Sequence, residues 1–351
     1  MQQAQRETNN MAFSHYYRLD NIFPRAILIE PSNICNSNCV FCPSSDITRP
    51  RGFMSFQLCK KIIDEAITHP EFKNAIFYGL AEPLTDKGIF DKIQYAKEMG
   101  VTVYTSTNAG LLNEEKAEKI LNSGLDRLKI SLDGNSKETY ESIRRNLNFE
   151  NTCSNVMNFL KMKRRLGKEK PSVMLRTVCT ETTRSEIKSY IGRWRDLSDA
   201  IMIASVANWA GHNKYDNRRS LTRENRTCCS IWECPLITWD GRVPLCFFDV
   251  NNKFDLGDLT KDSLYDIWNS ERLRAIRKNH LELNASELPF CSGCDEFYVS
   301  RKNVLFVDRT TGKHIVVDGL HDPSDLEEIV ECLTTKFDYM QVREVEYELE
   351  A

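Results

Sequence analysis

The chain has 351 residues, with 47 Lys and Arg against 50 Asp and Glu, which gives a net charge of -3. A hydrophobic fraction of 41% with 10% aromatic residues is ample for a buried core, so global disorder is excluded. The length predicts two domains, or one large domain with an appendage. The near-balanced charge gives no electrostatic reason to expect a nucleic-acid partner.

The sequence also bears on the compartment and on cysteine chemistry. No apolar run approaches the roughly 20 residues that a membrane span needs, so no membrane partner is expected. The first ten residues, MQQAQRETNN, lack the apolar region of a signal peptide, and we therefore expect a cytoplasmic protein. Thirteen cysteines, an odd and unevenly spaced set, fit a disulfide framework poorly in a reducing compartment. They are predicted to bind a metal or iron–sulfur clusters.

Short β-branched segments alternate with amphipathic segments from residue 26 onward. Strands are predicted at 26–30, 75–79, 101–105, 126–132, 172–178 and 200–206. Helices are predicted between them, at 54–68, 86–99, 113–123, 151–166 and 183–197. Strands separated by helices pair in parallel through right-handed crossovers. The pattern therefore predicts an α/β fold, an open (β/α)6 partial TIM barrel, with its active site at the carboxyl ends of the strands.

The first cysteine motif follows the first predicted strand directly. Cys35, Cys39 and Cys42 have C-x3-C-x2-C spacing, and three thiolates in one loop can hold three irons of a [4Fe–4S] cluster. The fourth iron is then open to a cofactor or substrate. A structural zinc would need a fourth ligand, which no nearby His or Cys supplies. Three buried core thiols at this spacing are the weaker alternative.

This motif, with Phe41 before its last cysteine, resembles that of radical S-adenosylmethionine (SAM) enzymes, and the resemblance covers roughly residues 24–206. It implies that the open iron chelates the amino and carboxylate groups of SAM. Reduction of the cluster would then release a 5′-deoxyadenosyl radical, and Phe41 would lie near the adenine. A reductant such as flavodoxin or ferredoxin is the partner that the resemblance implies.

Polar residues at further strand ends match cofactor-binding positions of that family. In YGLAEPL, Glu82 would accept a hydrogen bond from the SAM ammonium, although Ala81 replaces the usual glycine. STNAG makes Asn108 a polar pocket candidate, and KISLDG places Ser131 where relatives contact the ribose or carboxylate. Arg176 on the fifth strand is expected to pair with the cofactor carboxylate. An ion pair between Arg176 and an acidic barrel residue is the alternative.

A second group of cysteines lies beyond residue 227. Cys291 and Cys294 form a C-x2-C knuckle, which with Cys246 and one more thiolate supplies the four ligands of a fully coordinated cluster. A four-cysteine zinc site has the same ligand count. The order of a cysteine, WDG, a second cysteine, a helix and C-x2-C is similar to the SPASM/Twitch extension of radical SAM enzymes.

The resemblance also selects the first ligand of this second group. Cys228 and Cys229 have the spacing to Gly241 that the extension shows, whereas Cys234 lies too close. Cys228 is preferred because its spacing to Cys246 resembles that of 2-deoxy-scyllo-inosamine dehydrogenase-like enzymes, and Cys229 is the alternative. No cysteine follows the knuckle until Cys332, so we expect one auxiliary cluster and two [4Fe–4S] clusters in total.

The predicted strands and the two cysteine motifs divide the chain into five parts. We expect an N-terminal extension at 1–23, a radical SAM core barrel at 24–206, a polar linker at 207–227, a SPASM/Twitch domain at 228–300 and a C-terminal extension at 301–351. Within the last part, VLFVD and HIVVD have strand character, and a helix is predicted near 324–336.

The implied chemistry is the oxidation of a small polar substrate. One fully ligated auxiliary cluster suggests an electron acceptor, so we expect a carbinol of a sugar, cyclitol or aminoglycoside to be dehydrogenated. No Gly-x-Gly-x-x-Gly motif for a nicotinamide cofactor is present. Epimerisation is the alternative, and it requires a positioned thiol from Cys179, Cys229 or Cys234. Cys179, just past the fifth strand, is our candidate hydrogen donor.

Two further alternatives remain open. Peptide modification is common among SPASM enzymes, but only 25 residues precede the first predicted strand, which leaves little room for a peptide-recognition domain. A non-enzymatic iron–sulfur scaffold or electron carrier would not need Glu82, Asn108 and Ser131 at three successive strand ends.

Overall fold

The computed structural model describes residues 18–19, 22–212, 227–294, 303–308, 313–318 and 340–345. The strands are β1 Ala26–Ile29, β2 Asn38–Cys39, β3 Asn74–Phe77, β4 Thr102–Thr107, β5 Arg127–Ser131, β6 Arg144–Arg145, β7 Ser172–Val178, β8 Ala200–Ala204, β9 Leu236–Ile237, β10 Arg242–Pro244, β11 Asp255–Asp258, β12 Asn303–Asp308, β13 His314–Asp318 and β14 Met340–Val345. The α-helices are α1 Phe56–Ala66, α2 Ile89–Glu98, α3 Glu114–Asn122, α4 Lys137–Ile143, α5 Phe149–Arg165, α6 Glu181–Arg184, α7 Ile187–Trp194, α8 Ser230–Glu233, α9 Leu264–Trp268 and α10 Glu271–Leu281.

The six predicted strands are confirmed as β1, β3, β4, β5, β7 and β8, which are successive parallel neighbours in one sheet. Helices connect them, as a right-handed crossover fold requires. Over the described residues the sheet has ten strands, in the order β14-β12-β13-β8-β7-β5-β4-β3-β1-β9, and it is open because its two edge strands do not pair. The predicted α/β open barrel is therefore confirmed.

Helix α1 illustrates why these helices form where they do. The side chain of Ser55 caps the helix by accepting a hydrogen bond from the N–H of Leu58. Its buried face carries Cys59, Ile62 and Ile63, at the three-to-four residue spacing that places side chains on one side of a helix. Cys59 is fully buried, and Cys153 on α5 is 6% exposed. Both thiols therefore belong to the core.

Strand β5 shows how the sheet separates its two faces. Leu128 and Ile130 are buried in the main hydrophobic core between the sheet and the helices. Lys129 and Ser131 alternate with them and are half-buried, so they face the interior of the barrel. The barrel lumen is thus more polar than the layer between sheet and helices.

Four strands extend the sheet beyond the six that were predicted from the sequence. Strand β9, from the cysteine-rich region, pairs in parallel with β1, and β13 pairs in parallel with β8. Strands β12 and β14 add antiparallel pairs at the second edge. The VLFVD and HIVVD segments are confirmed as β12 and β13, while the helix near 324–336 and Cys332 lie outside the described residues. The domain boundaries stay predictions, since the sheet is continuous across them.

Within the described part of the chain, every helix is too short or too polar to cross a bilayer.

Candidate cofactor and iron–sulfur sites

The three cysteines of the first motif lie in the loop after β1, residues 31–42, which we call the cluster loop. The Ser37 hydroxyl is 3.3 Å from the thiol sulfurs of both Cys35 and Cys39. Burial, followed by the neighbouring charge of Cys39, raises the pKa of Cys42 to about 12. Burial also raises the pKa of Cys35, so the thiols of Cys35 and Cys42 ionise poorly by themselves. Iron cations would offset both the desolvation and the mutual repulsion, so the loop fits an iron–sulfur cluster.

A buried ion pair supports the cluster loop, and sequence reasoning missed it. The Arg144 Nε donates to Asp133 Oδ2 at 2.6 Å, and Asp133 Oδ1 accepts the N–H of Val178 at 2.7 Å. Arg144 also lies 3.5 Å from the sulfur of Cys39, and its guanidinium is 5.7 Å from the ring centroid of Phe41. The short β2–β6 pairing brings Arg144 to this position. Arg144 therefore links the ends of β5 and β7 to the cluster loop.

Glu82 and Asn108, two predicted cofactor-binding residues, come together beside the cluster loop. The Glu82 carboxylate is 1% exposed and accepts hydrogen bonds from the Thr107 hydroxyl at 2.7 Å, the Asn108 N–H at 2.7 Å and the Leu84 N–H at 3.1 Å. Burial raises the pKa of Glu82, while these donors lower it in part. Glu82 therefore joins the ends of β3 and β4.

The Asn108 side chain holds the cluster loop itself. Its amide nitrogen donates to Asn36 Oδ1 at 2.8 Å and lies 3.9 Å from the sulfur of Cys35. Its amide oxygen accepts the N–H of Gly110 at 2.9 Å. Asn108 is thus positioned against the predicted cluster as well as beside Glu82, and its role in binding the cofactor stays a prediction.

Ser131 and Arg176 are brought together by the register of the sheet. They are directly paired residues of β5 and β7, on the lumen face. Arg176 is near enough to Tyr78 to lower the pKa of its phenol, although burial and the Cys234 thiol together raise that pKa to about 12. Among the residues that the structure describes, no salt bridge involves Arg176, so the predicted alternative of an acidic partner is not observed there.

Cys179, the candidate hydrogen donor, lies on the other side of the sheet. It is 7% exposed, belongs to the main hydrophobic core, and its N–H donates to the Ala204 carbonyl at 2.8 Å. Leu175, four residues earlier, is buried in the same core, as alternation along β7 requires. This position favours a structural role for Cys179 over contact with a substrate in the lumen.

The predicted auxiliary ligands converge in the C-terminal region, and we call Cys228, Cys246, Cys291 and Cys294 the auxiliary site. Cys228 packs with Cys291 and Cys294 in one small cluster. Burial, followed by the charges of Cys228 and Cys291, raises the pKa of Cys246 well above its usual value. The four cysteines therefore lie close together, which fits a fully ligated cluster.

The alternative first ligands lie in a different direction. Cys229 begins helix α8, and its carbonyl accepts the N–H of Trp232 at 2.8 Å. The charge of Cys229 contributes to raising the pKa of Cys234. Cys234 itself lies next to Leu28 of strand β1, rather than next to the C-x2-C knuckle of Cys291 and Cys294. This arrangement supports the choice of Cys228 over Cys229 and Cys234, and the ligand assignment itself stays a prediction.

Neither site has the geometry of a mononuclear metal site. Among the described residues, no three His, Cys, Asp or Glu side chains are close enough to chelate a single ion. A cubane cluster attaches each thiolate to a different iron and therefore requires wider spacing than one zinc ion.

Three aromatic side chains, Trp209, Phe247 and Phe248, join the two cysteine sites, and we call them the aromatic bridge. The Trp209 ring centroid is 5.2 Å from those of both Phe247 and Phe248. Trp209, Phe247 and Cys42 all pack against one small core, which is formed by Ile47, Leu80 and Val250. Phe248 packs against the core that contains Cys291 and Cys294 of the auxiliary site. The Trp209 indole also donates to the Phe41 carbonyl at 3.1 Å. The auxiliary site therefore lies near the mouth of the barrel.

Comparisons with known proteins agree with this arrangement. The profile of the radical SAM superfamily matches residues 29–191, and that of an iron–sulfur cluster-binding SPASM domain matches residues 228–295. The tungsten-containing aldehyde ferredoxin oxidoreductase cofactor-modifying protein of Pyrococcus furiosus is 23% identical over 77% of this chain and 88% of its own length. The SAM-dependent 2-deoxy-scyllo-inosamine dehydrogenase of Niallia circulans is 22% identical, over 80% of this chain and 96% of its own.

Solved structures show the same fold. BtrN in complex with AdoMet and 2-DOIA has a TM-score of 0.55 and 16% identity, covering 79% of this chain and 94% of that one. Streptococcus suis SuiB bound to precursor peptide SuiA has a TM-score of 0.62 and 15% identity, covering 78% and 71%. At these identities the likeness concerns the fold alone.

Proposed function

The chain belongs to the radical SAM superfamily and carries a SPASM iron–sulfur domain, and from this premise we propose that it dehydrogenates a carbinol of a small polar molecule. The proposed substrate is a sugar, cyclitol or aminoglycoside. Oxidation removes a hydrogen atom from the carbinol carbon, a proton from its hydroxyl and one electron. The products are a ketone, 5′-deoxyadenosine and methionine.

The two domains indicate SAM and iron–sulfur clusters as cofactors. We assign one [4Fe–4S] cluster to the cluster loop and a second to the auxiliary site. When bound, SAM with the reduced first cluster supplies a hydrogen-abstracting radical, and the fully ligated second cluster supplies an electron acceptor. The protein binds and orients these groups, and a partner such as flavodoxin or ferredoxin would supply the reducing electron.

The observation that carries the proposal is the short connection between the lumen and the auxiliary site. Tyr78 belongs to the lumen, and its ring centroid is 5.8 Å from that of Phe247, the residue after Cys246. An electron leaving a substrate beside Tyr78 therefore has a short path to the auxiliary site. The same part of the lumen holds Lys129, whose Nζ is 5.2 Å from the Tyr78 ring centroid, and polar groups of this kind suit a hydroxylated substrate.

Mass spectrometry of candidate substrates incubated in deuterated water tests this function. We expect a product two mass units lighter than the substrate, because dehydrogenation removes two hydrogens. The same reaction without SAM is the control. Deuterium from solvent on a product carbon, at unchanged oxidation level, would instead indicate epimerisation and contradict the proposal.

Epimerisation is the second candidate, and one position favours it. Cys234 ends helix α8 and lies two residues before Leu236, which pairs with Leu28 of β1 in the barrel sheet. Its thiol is also near enough to Tyr78 to raise the pKa of the phenol. Of the three candidate hydrogen donors, Cys234 therefore has the placement that a donor requires.

A thiol series separates the two candidates. For a dehydrogenase we expect Cys234→Ala and Cys179→Ala to retain substantial turnover, whereas Cys228→Ala should disturb the auxiliary site and stop product formation. Cys228→Ala should still form 5′-deoxyadenosine, because that step uses the cluster loop alone. Iron content, 5′-deoxyadenosine and product are measured for each variant. A Cys234→Ala protein that keeps all its iron and forms 5′-deoxyadenosine without product would favour the epimerase.

The assignment of Glu82 gives a further prediction. We expect Glu82→Ala to weaken SAM binding at least about tenfold, since a hydrogen bond to a charged group is worth roughly 1.5–3 kcal/mol. Equilibrium binding to the reconstituted protein measures the change. Thr107→Val is the matched control, because it removes one donor to Glu82 while keeping the carboxylate. Equal affinities in both variants and the unmodified protein would contradict the assignment.

A further inference from the structure

His280, near the end of α10, lies between two segments of the auxiliary site. Its side chain is fully buried. The N–H of Cys228 donates to its Nδ1 at 3.4 Å, and its Nε2 lies 3.6 Å from the sulfur of Cys291. His280 therefore contacts one predicted ligand through the backbone and another through the thiol.

The contact with Cys228 determines which ring nitrogen carries the proton. A backbone N–H only donates, so Nδ1 must present its lone pair, and the proton of the imidazole then resides on Nε2. Nε2–H points at the sulfur of Cys291, which as a cluster ligand would be a thiolate. The geometry is that of an N–H···S hydrogen bond, the kind of contact by which proteins adjust iron–sulfur reduction potentials.

We propose that His280 is a positioning residue that holds Cys228 in place and raises the reduction potential of the auxiliary cluster through its hydrogen bond to Cys291. Reduction adds negative charge to a cluster and its thiolates, and a donor hydrogen bond stabilises that charge. This inference rests on the proposed function, in which the auxiliary site receives an electron. Neither the SPASM motif nor the cysteine spacing includes His280.

The test is the midpoint potential of the auxiliary cluster, measured by EPR-monitored redox titration of the reconstituted full-length protein without substrate. We expect His280→Leu to make reduction of the auxiliary cluster about tenfold less favourable, which is about 59 mV for a one-electron couple. His280→Gln should restore most of the potential, because its amide N–H reaches the position of Nε2–H. His280→Asn, whose shorter side chain does not reach Cys291, should resemble His280→Leu.

Exposed Lys278 on the same helix provides the control, and Lys278→Gln should leave the potential unchanged. A potential that is the same in His280→Leu as in the unmodified protein overturns the proposal. Loss of the auxiliary iron in all three His280 variants also overturns it, since that would make the residue purely structural. The titration contains no substrate, so its result is independent of the substrate assay. A shifted potential here, together with no ketone product in the substrate assay, would contradict the dehydrogenase while leaving this inference intact.

Discussion

Replacing Cys35, Cys39 and Cys42 together by alanine is expected to abolish SAM cleavage while leaving about four irons per chain, those of the auxiliary site. The Ser37 hydroxyl contacts the thiols of Cys35 and Cys39, and none of the three substituted cysteines belongs to the small core that contains Cys291 and Cys294. The second cluster therefore keeps all its ligands. Iron analysis and quantification of 5′-deoxyadenosine after reduction measure the two effects.

The matched control for the triple variant is Cys153→Ala, which removes a core thiol on α5 that is 6% exposed. It should keep about eight irons and full SAM cleavage, since two [4Fe–4S] clusters remain ligated. About eight irons in the triple variant would mean that the first cluster is held elsewhere. Loss of all iron would mean that the two sites do not assemble independently.

Replacing Arg144 by methionine is expected to destabilise the protein by about 3–5 kcal/mol, because it leaves the Asp133 carboxylate buried without its cation. Asp133 is fully buried, and Arg144 is 7% exposed. The substitution also removes the guanidinium from Cys39 and Phe41, so the cluster loop loses its connection to the ends of β5 and β7. Anaerobic chemical denaturation measures the free energy of unfolding.

An exposed ion pair serves as the control for Arg144. Lys119 and Glu115 form a salt bridge on α3 with side chains 52% and 69% exposed, so Lys119→Met should cost less than about 1 kcal/mol. Arg144→Lys, which keeps the charge, should fall between the two. A loss below about 1 kcal/mol for Arg144→Met would show that Asp133 finds another partner or takes up a proton.

The sequence did not predict the aromatic bridge, because its contacts join residues that are far apart in the chain. Trp209 follows β8 by five residues, in a segment that the sequence predicted to be a polar linker, yet its indole donates to the Phe41 carbonyl. Phe247 and Phe248 follow Cys246 and contact Trp209 through tertiary packing. No local pattern marks an aromatic residue as a contact between two sites.

The sequence by itself determined the strand order of the barrel and the positions of both cysteine motifs. Alternation and helical periodicity are properties of neighbouring residues, which is why β7 has the predicted bounds and β1 ends within one residue of them. The cysteine spacing in the cluster loop is likewise local. Thus the superfamily and its cofactors follow from short segments.

The resemblance already preferred Cys228 to its neighbour Cys229, and the tertiary structure supports that preference. The tertiary structure alone placed Arg144 and His280 beside predicted ligands. Adjacent cysteines differ by a single residue in their spacing to a motif. Before α8, however, Cys228 packs with the C-x2-C knuckle, whereas the charge of Cys229 contributes to raising the pKa of Cys234. His280 is separated from Cys228 by 52 positions, and Arg144 from Cys39 by 105. Contacts at such separations depend on how helices and strands pack, because burial and hydrogen bonding between distant segments leave no periodic signal in the sequence.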